Sequence, residues 1–172
     1  MKKLFIFLTF LISASAYAGD FTVSVPSAKS GMFTNAQVLN GFGCSGGNVS
    51  PEIIWQNPPE GTKSFALTIY DPDAPTGSGW WHWVITDIPA DVRRIESGSV
   101  PKGAVESATD FGKPGYGGPC PPEGTNHRYI VTVTALKTGK LGISPFAGGA
   151  MAGFMINMNA IAKASAIIRY GR

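Results

Sequence analysis

Histidine and cysteine each occur only twice in the 172 residues, and charged side chains make up only 15% of them. The two histidines, His82 and His127, have neither His-x-His nor His-x-x-x-His spacing, so no metal ion or other cofactor is expected. No Walker loop or dinucleotide fingerprint is present. Gly77-Ser-Gly79 falls short of the Gly-x-Ser-x-Gly elbow, so a Ser-His-Asp hydrolase would have no convincing nucleophile. Long apolar runs are also scarce. The one at residues 4–12 is too short to span a bilayer; it follows Lys2 and Lys3 and precedes Ala16-Tyr-Ala18. That order reads as a secretory signal peptide over residues 1–18, leaving a single domain over residues 19–172. No cysteine follows the cleavage site, so no lipid or other stable membrane anchor is expected, and the protein belongs in the periplasm or outside the cell. Removing Lys2 and Lys3 leaves 12 basic against 11 acidic residues, which gives no electrostatic footprint for nucleic acid.

An even cysteine count in an exported chain favours a disulfide between Cys44 and Cys120. The alternative at this point is a reactive thiol at Cys120, near His127. Glycine and proline are abundant, at 22 and 13 residues, and suit a loop-rich β architecture. Alternating or wholly apolar runs predict strands over residues 21–25, 53–55, 64–70, 81–88, 104–106, 129–135 and 166–170. Residues 87–102 read as a surface excursion. Met151, Phe154, Met155, Met158, Ile161 and Ala162 recur at helical spacing, which predicts one amphipathic helix over residues 149–163 with its methionine stripe in the core.

The chemistry gathers around two stretches. Residues 115–129 form a glycine/proline loop that ends in His127, Arg128 and Tyr129, and period-two alternation puts His127 and Tyr129 on one strand face. In Asp71-Pro-Asp-Ala-Pro75, prolines stiffen a turn that offers two carboxylates. His82 lies just beyond it among tryptophans, where burial without a partner is costly, and a carboxylate of the preceding turn is its expected partner. Asp71, Asp73, His82, His127 and Tyr129 together suggest a small polar pocket for a phosphate or carboxylate oxygen. The aspartates are expected to keep both imidazoles protonated.

Asp71-Pro-Asp-Ala-Pro75, the aromatic-His-aromatic run at His82, and Gly117-Gly-Pro-Cys-Pro-Pro-x-Gly-x-x-His-Arg-Tyr129 resemble the phosphatidylethanolamine-binding protein family, which includes the Raf kinase inhibitor proteins. The leader, Gly41-Phe-Gly-Cys44, Ser50-Pro51 and Gly79-Trp-Trp-His-Trp83 are most similar to its bacterial YbhB/YbcL branch. The resemblance implies a mainly β sandwich with a large central sheet, a smaller sheet, and a helix in the C-terminal half. It also implies an anion pocket on Asp71, Asp73, His82, Pro122, His127 and Tyr129. Trp81 stands where many animal members carry a second histidine, which implies a more apolar rim. The function implied is binding of a small phosphate- or carboxylate-bearing ligand without turnover. An inhibitor or host-directed protein that captures a partner's side chain is the alternative, and a hydrolase the weaker one.

Overall fold

The computed structural model describes residues 19–172; the leader proposed for residues 1–18 lies outside the described residues. In chain order the elements are β1 (Thr22–Ser24), β2 (Asn40–Gly41), β3 (Cys44–Ser45), β4 (Ile53–Gln56), β5 (Ser64–Asp71), β6 (Trp80–Pro89), β7 (Arg94–Ile95), β8 (Val105–Glu106), β9 (Asn126–Leu136), α1 (Gly149–Asn159) and β10 (Ala160–Gly171). Five strands form the main sheet in the order β10-β9-β5-β6-β8, three form a smaller sheet in the order β1-β4-β7, and β2 and β3 make a hairpin. All pairings between these strands are antiparallel.

The apolar runs at β5 and β6 are buried on both faces because the main sheet is covered on both sides. On one side Ile53, Trp55 and Ile95 of the small sheet pack against Phe65, Ile69, Trp83, Val131 and Val133. Trp55 and Phe65 meet edge to face at 5.3 Å, a geometry that adds to simple area burial. On the other side a smaller cluster of Ala66, Leu136, Leu141 and Ile156 lies under α1. The supposed surface excursion contains β7, and its Ile95 is fully buried in the sandwich.

Two departures from regular pairing decide where side chains point. Ile69 pairs with Trp83, and the next residue, Tyr70, pairs with Trp81, so His82 is the extra residue of a β-bulge. The bulge sends Trp81 to the outer face, where it packs on Tyr70 at 4.8 Å, and leaves His82 facing inward. Farther along β6, Phe65 pairs with Ile88 and Leu67 with Ile85. Asp87 sits in this second irregularity with a φ of 57°, and its Oδ1 accepts a hydrogen bond from the Leu141 amide at 2.8 Å.

The helix is shorter than its periodicity suggests and is turned the other way. It ends at Asn159, and β10 begins at the next residue, so the final strand runs over Ala160–Gly171 instead of starting near residue 166. Its buried residues include Gly149, Ala152 and Ile156. The methionine stripe faces outward: Met151, Phe154 and Met158 are 58, 59 and 60% exposed. The reason is steric. Helix α1 lies against the flat indole of Trp81, and a Cβ added at Gly149 would come within 2.3 Å of that ring. Only small residues fit there, so the large apolar ones are left on the far face.

Gly149→Ala is therefore expected to destabilise by about 1–3 kcal/mol through overpacking, although alanine is the better helix former. Met158→Ala should stay within about 0.5 kcal/mol of the parent in urea unfolding. The opposite ranking would put the stripe back in the core.

Candidate anion-binding site

The site lies at one end of the main sheet, where β5 ends, β6 begins and β9 begins. β5 delivers Asp71, the bulge in β6 delivers His82, and alternation along β9 delivers His127 and Tyr129. These four line a cavity of about 200 Å³ together with Pro122. Its walls are mostly apolar: Leu39, Phe42, Pro75, Trp80, Phe111 and Pro121. Pockets for drug-sized ligands measure roughly 300–1,000 Å³, so this smaller hollow suits a single head group.

The loop that forms the far wall is held from several directions. The Gly117 amide donates to the His82 carbonyl at 2.9 Å, the Gly118 amide to Asn48 Oδ1 at 2.8 Å, and the Leu39 amide to the Pro119 carbonyl at 3.1 Å. Glycine is required at position 118, because a Cβ there would lie 2.0 Å from the Gln37 carbonyl oxygen. Cys44 and Cys120 are bonded, with Cα atoms 6.0 Å apart, and tie the β2–β3 hairpin to this loop. The reactive-thiol alternative for Cys120 falls away with that bond. At the chain's far end Arg172 donates from Nε to the Pro121 carbonyl at 2.7 Å and braces the same loop.

The polar partners differ from those expected. His82 does not pair with a carboxylate; its Nδ1 donates to the Gly117 carbonyl at 2.7 Å. The Asp71 carboxylate instead accepts from His127 Nδ1 at 2.8 Å, and its other oxygen accepts from the Asp73 amide at 2.8 Å. Both imidazoles thus use Nδ1 on the protein, and neither Nε2 has a protein partner among the described residues. Burial pushes the His82 pKa below its ordinary value, outweighing the opposing pull of the Gly117 carbonyl, Asp71 and Asp110. His82 is therefore a neutral imidazole with its proton on Nδ1, not the cation that nearby aspartates were expected to maintain. Burial likewise drives the Tyr129 phenol upward, with Asp71 adding to the effect, so its hydroxyl keeps its proton. The Tyr129 hydroxyl and the Trp80 indole N–H are both buried and lack a protein partner among the described residues.

Asp73 is placed outside the cavity lining. Its carboxylate accepts a two-pronged bond from Arg128, from Nη2 at 2.6 Å and Nε at 2.9 Å, and accepts from the Arg128 amide at 2.8 Å. It fixes the start of β9 relative to the turn, which is a positioning role. The Arg128 hydrogen bonds hold the Asp73 pKa down at about 2. A depressed carboxylate pKa gives stability that is complete above the unfolded value, near 4, and is lost as pH falls toward the folded value. Between pH 4 and 2 the parent should lose stability that Asp73→Asn does not lose, which acid titration of the two unfolding curves checks.

Trp81 also departs from expectation. It lines the groove under α1, and the cavity wall is formed by Trp80. Phe42, Phe111 and Trp80 line the cavity and are not among the expected pocket residues. Phe42 and Phe111 stack at 6.0 Å across the mouth, and Phe111 meets His82 edge to face at 5.5 Å. Trp80 and Phe42 had a sequence signal, one two residues from His82 and the other inside Gly41-Phe-Gly-Cys44; Phe111 sits in a loop with no pattern at all.

A two-sheet sandwich with a disulfide-braced, histidine-lined cavity at the sheet's end defines the class of protein. Within that class, the phosphatidylethanolamine-binding protein family pattern matches residues 29–171, and the chain belongs to that family. It is 49% identical over 162 residues to the UPF0098 protein YbcL of Escherichia coli, covering 89% of this chain and 88% of that one. It is 49% identical over 134 residues to YbhB of the same organism, covering 74% of this chain and 85% of that one. The crystal structure of E. coli YbcL, described as a new member of the mammalian PEBP family, superposes with a TM-score of 0.86 at 46% identity. That match covers 90% of this chain and 99% of that one. Among the described residues no helix is long and apolar enough to cross a membrane. The disulfide is compatible with an exported protein, as is 36% identity over 140 residues (77% of this chain, 68% of that one) to a putative lipoprotein, LppC, of Mycobacterium tuberculosis.

Proposed function

We propose that the protein is an exported binding module whose cavity takes the phosphate or carboxylate group of a small ligand and holds it without turnover. The observation that carries this reading is the convergence of His82, His127 and Tyr129, backed by Asp71, on one apolar-walled hollow of about 200 Å³. Polar atoms between apolar walls interact more strongly with an anionic oxygen than they would in open water, because the effective dielectric constant is lower there. Binding rather than catalysis is favoured by the lack of a free nucleophile among the described residues that line the cavity. Cys120 is bonded to Cys44, and the Thr76 hydroxyl is engaged with the Gly79 carbonyl at 2.5 Å. A second reading, in which the anionic group belongs to a side chain of a protein partner, is favoured by Phe42, which stands 71% exposed at the mouth.

A thermal-shift titration tests the proposal. With inorganic phosphate or acetate at a hundredfold excess over Kd, the folded state gains about 2.7 kcal/mol and Tm rises with the logarithm of ligand concentration. A Tm that stays flat with every phosphate and carboxylate compound, but rises with a phosphopeptide, supports the partner-borne group. A flat response to all of them contradicts both readings.

A further inference from the structure

We propose that the free edge of β10 takes an extended, acidic segment of a partner protein, which adds to the main sheet as a further strand. The inference is independent of the cavity, since no residue of β10 lines it. It starts from an imbalance among the sheet edges. An edge strand leaves a row of main-chain N–H and C=O groups unpaired, and proteins ordinarily keep such edges short or covered. Here β8 has 2 residues, β1 has 3 and β7 has 2, whereas β10, at the other edge of the main sheet, has 12.

The cover on β10 stops near its C-terminal end. The Arg169 amide donates to the Gly31 carbonyl at 2.9 Å, and the Arg169 carbonyl accepts from the Phe33 amide at 3.0 Å, both on the side away from β9. Main-chain groups of a strand alternate in direction, so those of Ile167, Ser165 and Lys163 point the same way as those of Arg169. None of these three has a main-chain partner on that side among the described residues. Ala164 and Ala166 lie between them and face β9, in register with Val133 and Val131. The open stretch can therefore hydrogen-bond an extended chain laid alongside it, the mode of recognition known as β-augmentation.

Charge decides the kind of chain. After Glu123 the sequence has no acidic residue, while Arg128, Lys137, Lys140, Lys163, Arg169 and Arg172 all fall in that stretch. Arg128 is paired with Asp73, and Arg172 lies 3.7 Å from Glu123. Lys137, Lys140, Lys163 and Arg169 have no acidic partner among the described residues. Lys163 stands on the open edge itself and, with Ser165, lines the groove beneath α1. Alternation puts Ile167, which is 55% exposed, on the same face. The edge thus suits a strand that brings a carboxylate to Lys163 and an apolar side chain to Ile167. A second copy of this chain fits poorly. Two-fold pairing centred on Lys163 sets two ammonium groups opposite each other, and any pairing of two β10 edges joins two basic segments. A lipid surface cannot match a strand's alternating row of donors and acceptors.

The test is an amide NMR titration of the purified protein at low salt with a capped heptapeptide, Glu-Val-Thr-Glu-Thr-Val-Glu. Its pattern reads the same in both directions and sets the central glutamate between two valines on one face. Before addition, the amides of Lys163, Ser165 and Ile167 should exchange with deuterium much faster than those of Ala164 and Ala166. On addition those three should shift, saturate with one Kd in the low-millimolar range or tighter, and become protected. Two control peptides should each bind at least about tenfold more weakly. One carries lysine for every glutamate, which reverses the charge. The other is methylated on the nitrogens of its central glutamate and both valines, which removes the main-chain bonds. Ser165→Pro deletes the central edge N–H at a position where a strand tolerates proline, and should abolish binding with an unchanged far-UV spectrum. Lys163→Glu leaves the main chain intact and should narrow the gap between the acidic and the lysine peptide. Equal binding of the methylated peptide overturns the inference, as does a titration that moves only cavity amides or never saturates. Protection of the three edge amides that rises with protein concentration alone makes a second copy the occupant and overturns it too. So does binding to phosphatidylglycerol vesicles by a protein that ignores the peptide.

Discussion

Replacing His127 with alanine is expected to lower the free energy of unfolding by about 3–5 kcal/mol, because it strands the Asp71 carboxylate in the interior. The two side chains are only 7 and 4% exposed and meet at 2.8 Å. Without the imidazole, Asp71 keeps a single hydrogen bond, from the Asp73 amide, and the Arg128 guanidinium is already engaged with Asp73. Adding Asp71→Asn to the alanine variant removes the stranded charge. It should recover a substantial part of the loss, since replacing both members of a buried pair is far milder than removing one. Urea denaturation of the parent, both single variants and the double variant closes the cycle. A loss below about 1 kcal/mol for His127→Ala would mean that the pair is not held as described. The same result bears on function: a binding defect in the alanine variant is informative only at temperatures where the variant is shown to be folded.

Breaking the Cys44–Cys120 bond should have an effect of similar size by a different route. The bond joins residues 76 apart, and closing a loop of that length in the unfolded chain is worth about 4 kcal/mol in the chain-entropy picture. It also anchors a wall of the site, because Cys120 lines the cavity and the hairpin that carries Phe42 is tied down through Cys44. Cys44→Ala/Cys120→Ala, or the reduced parent, should thus unfold at a markedly lower urea concentration. Any phosphate that still binds should do so more weakly. An unchanged urea midpoint after full reduction would show that the packing of the loop against residues 37–39 holds it without the bond.

Much of this architecture was legible because patterning and physics agreed. β5 and β6 read as central strands, and the main sheet does flank them on both sides. The Asp71 turn, His82 and the His127 strand also converge as the motifs suggested. What the sequence hid had two causes. The first is that periodicity counts apolar residues without asking what they must pack on. In α1 both faces are apolar, and the choice between them was made by the flat ring of Trp81, which admits glycine at position 149 and nothing as large as methionine. The second is that hydrogen-bond partners across loops leave no mark on spacing. His82 was assigned a carboxylate because Asp71 was near in sequence, yet a bulge and a loop carbonyl 35 residues away supply its partner. That exchange matters beyond bookkeeping of contacts: a carboxylate would have made His82 a cation, whereas a carbonyl and burial leave it a neutral acceptor. Asp73 lies outside the cavity for a related reason: its partner is the Arg128 side chain, which no spacing in the turn reveals. Phe111 was invisible because nothing local distinguishes an aromatic residue in a loop that folds over a cavity from one that does not.

The most direct measurement is a nitrogen-15 NMR titration of the two imidazoles with inorganic phosphate. Before addition, His82 should show the neutral tautomer with its proton on Nδ1. During the titration the Nε2 signals of both rings should move and saturate with one common Kd. Phosphate that binds while either ring stays still would contradict the claim that His82 and His127 form one site.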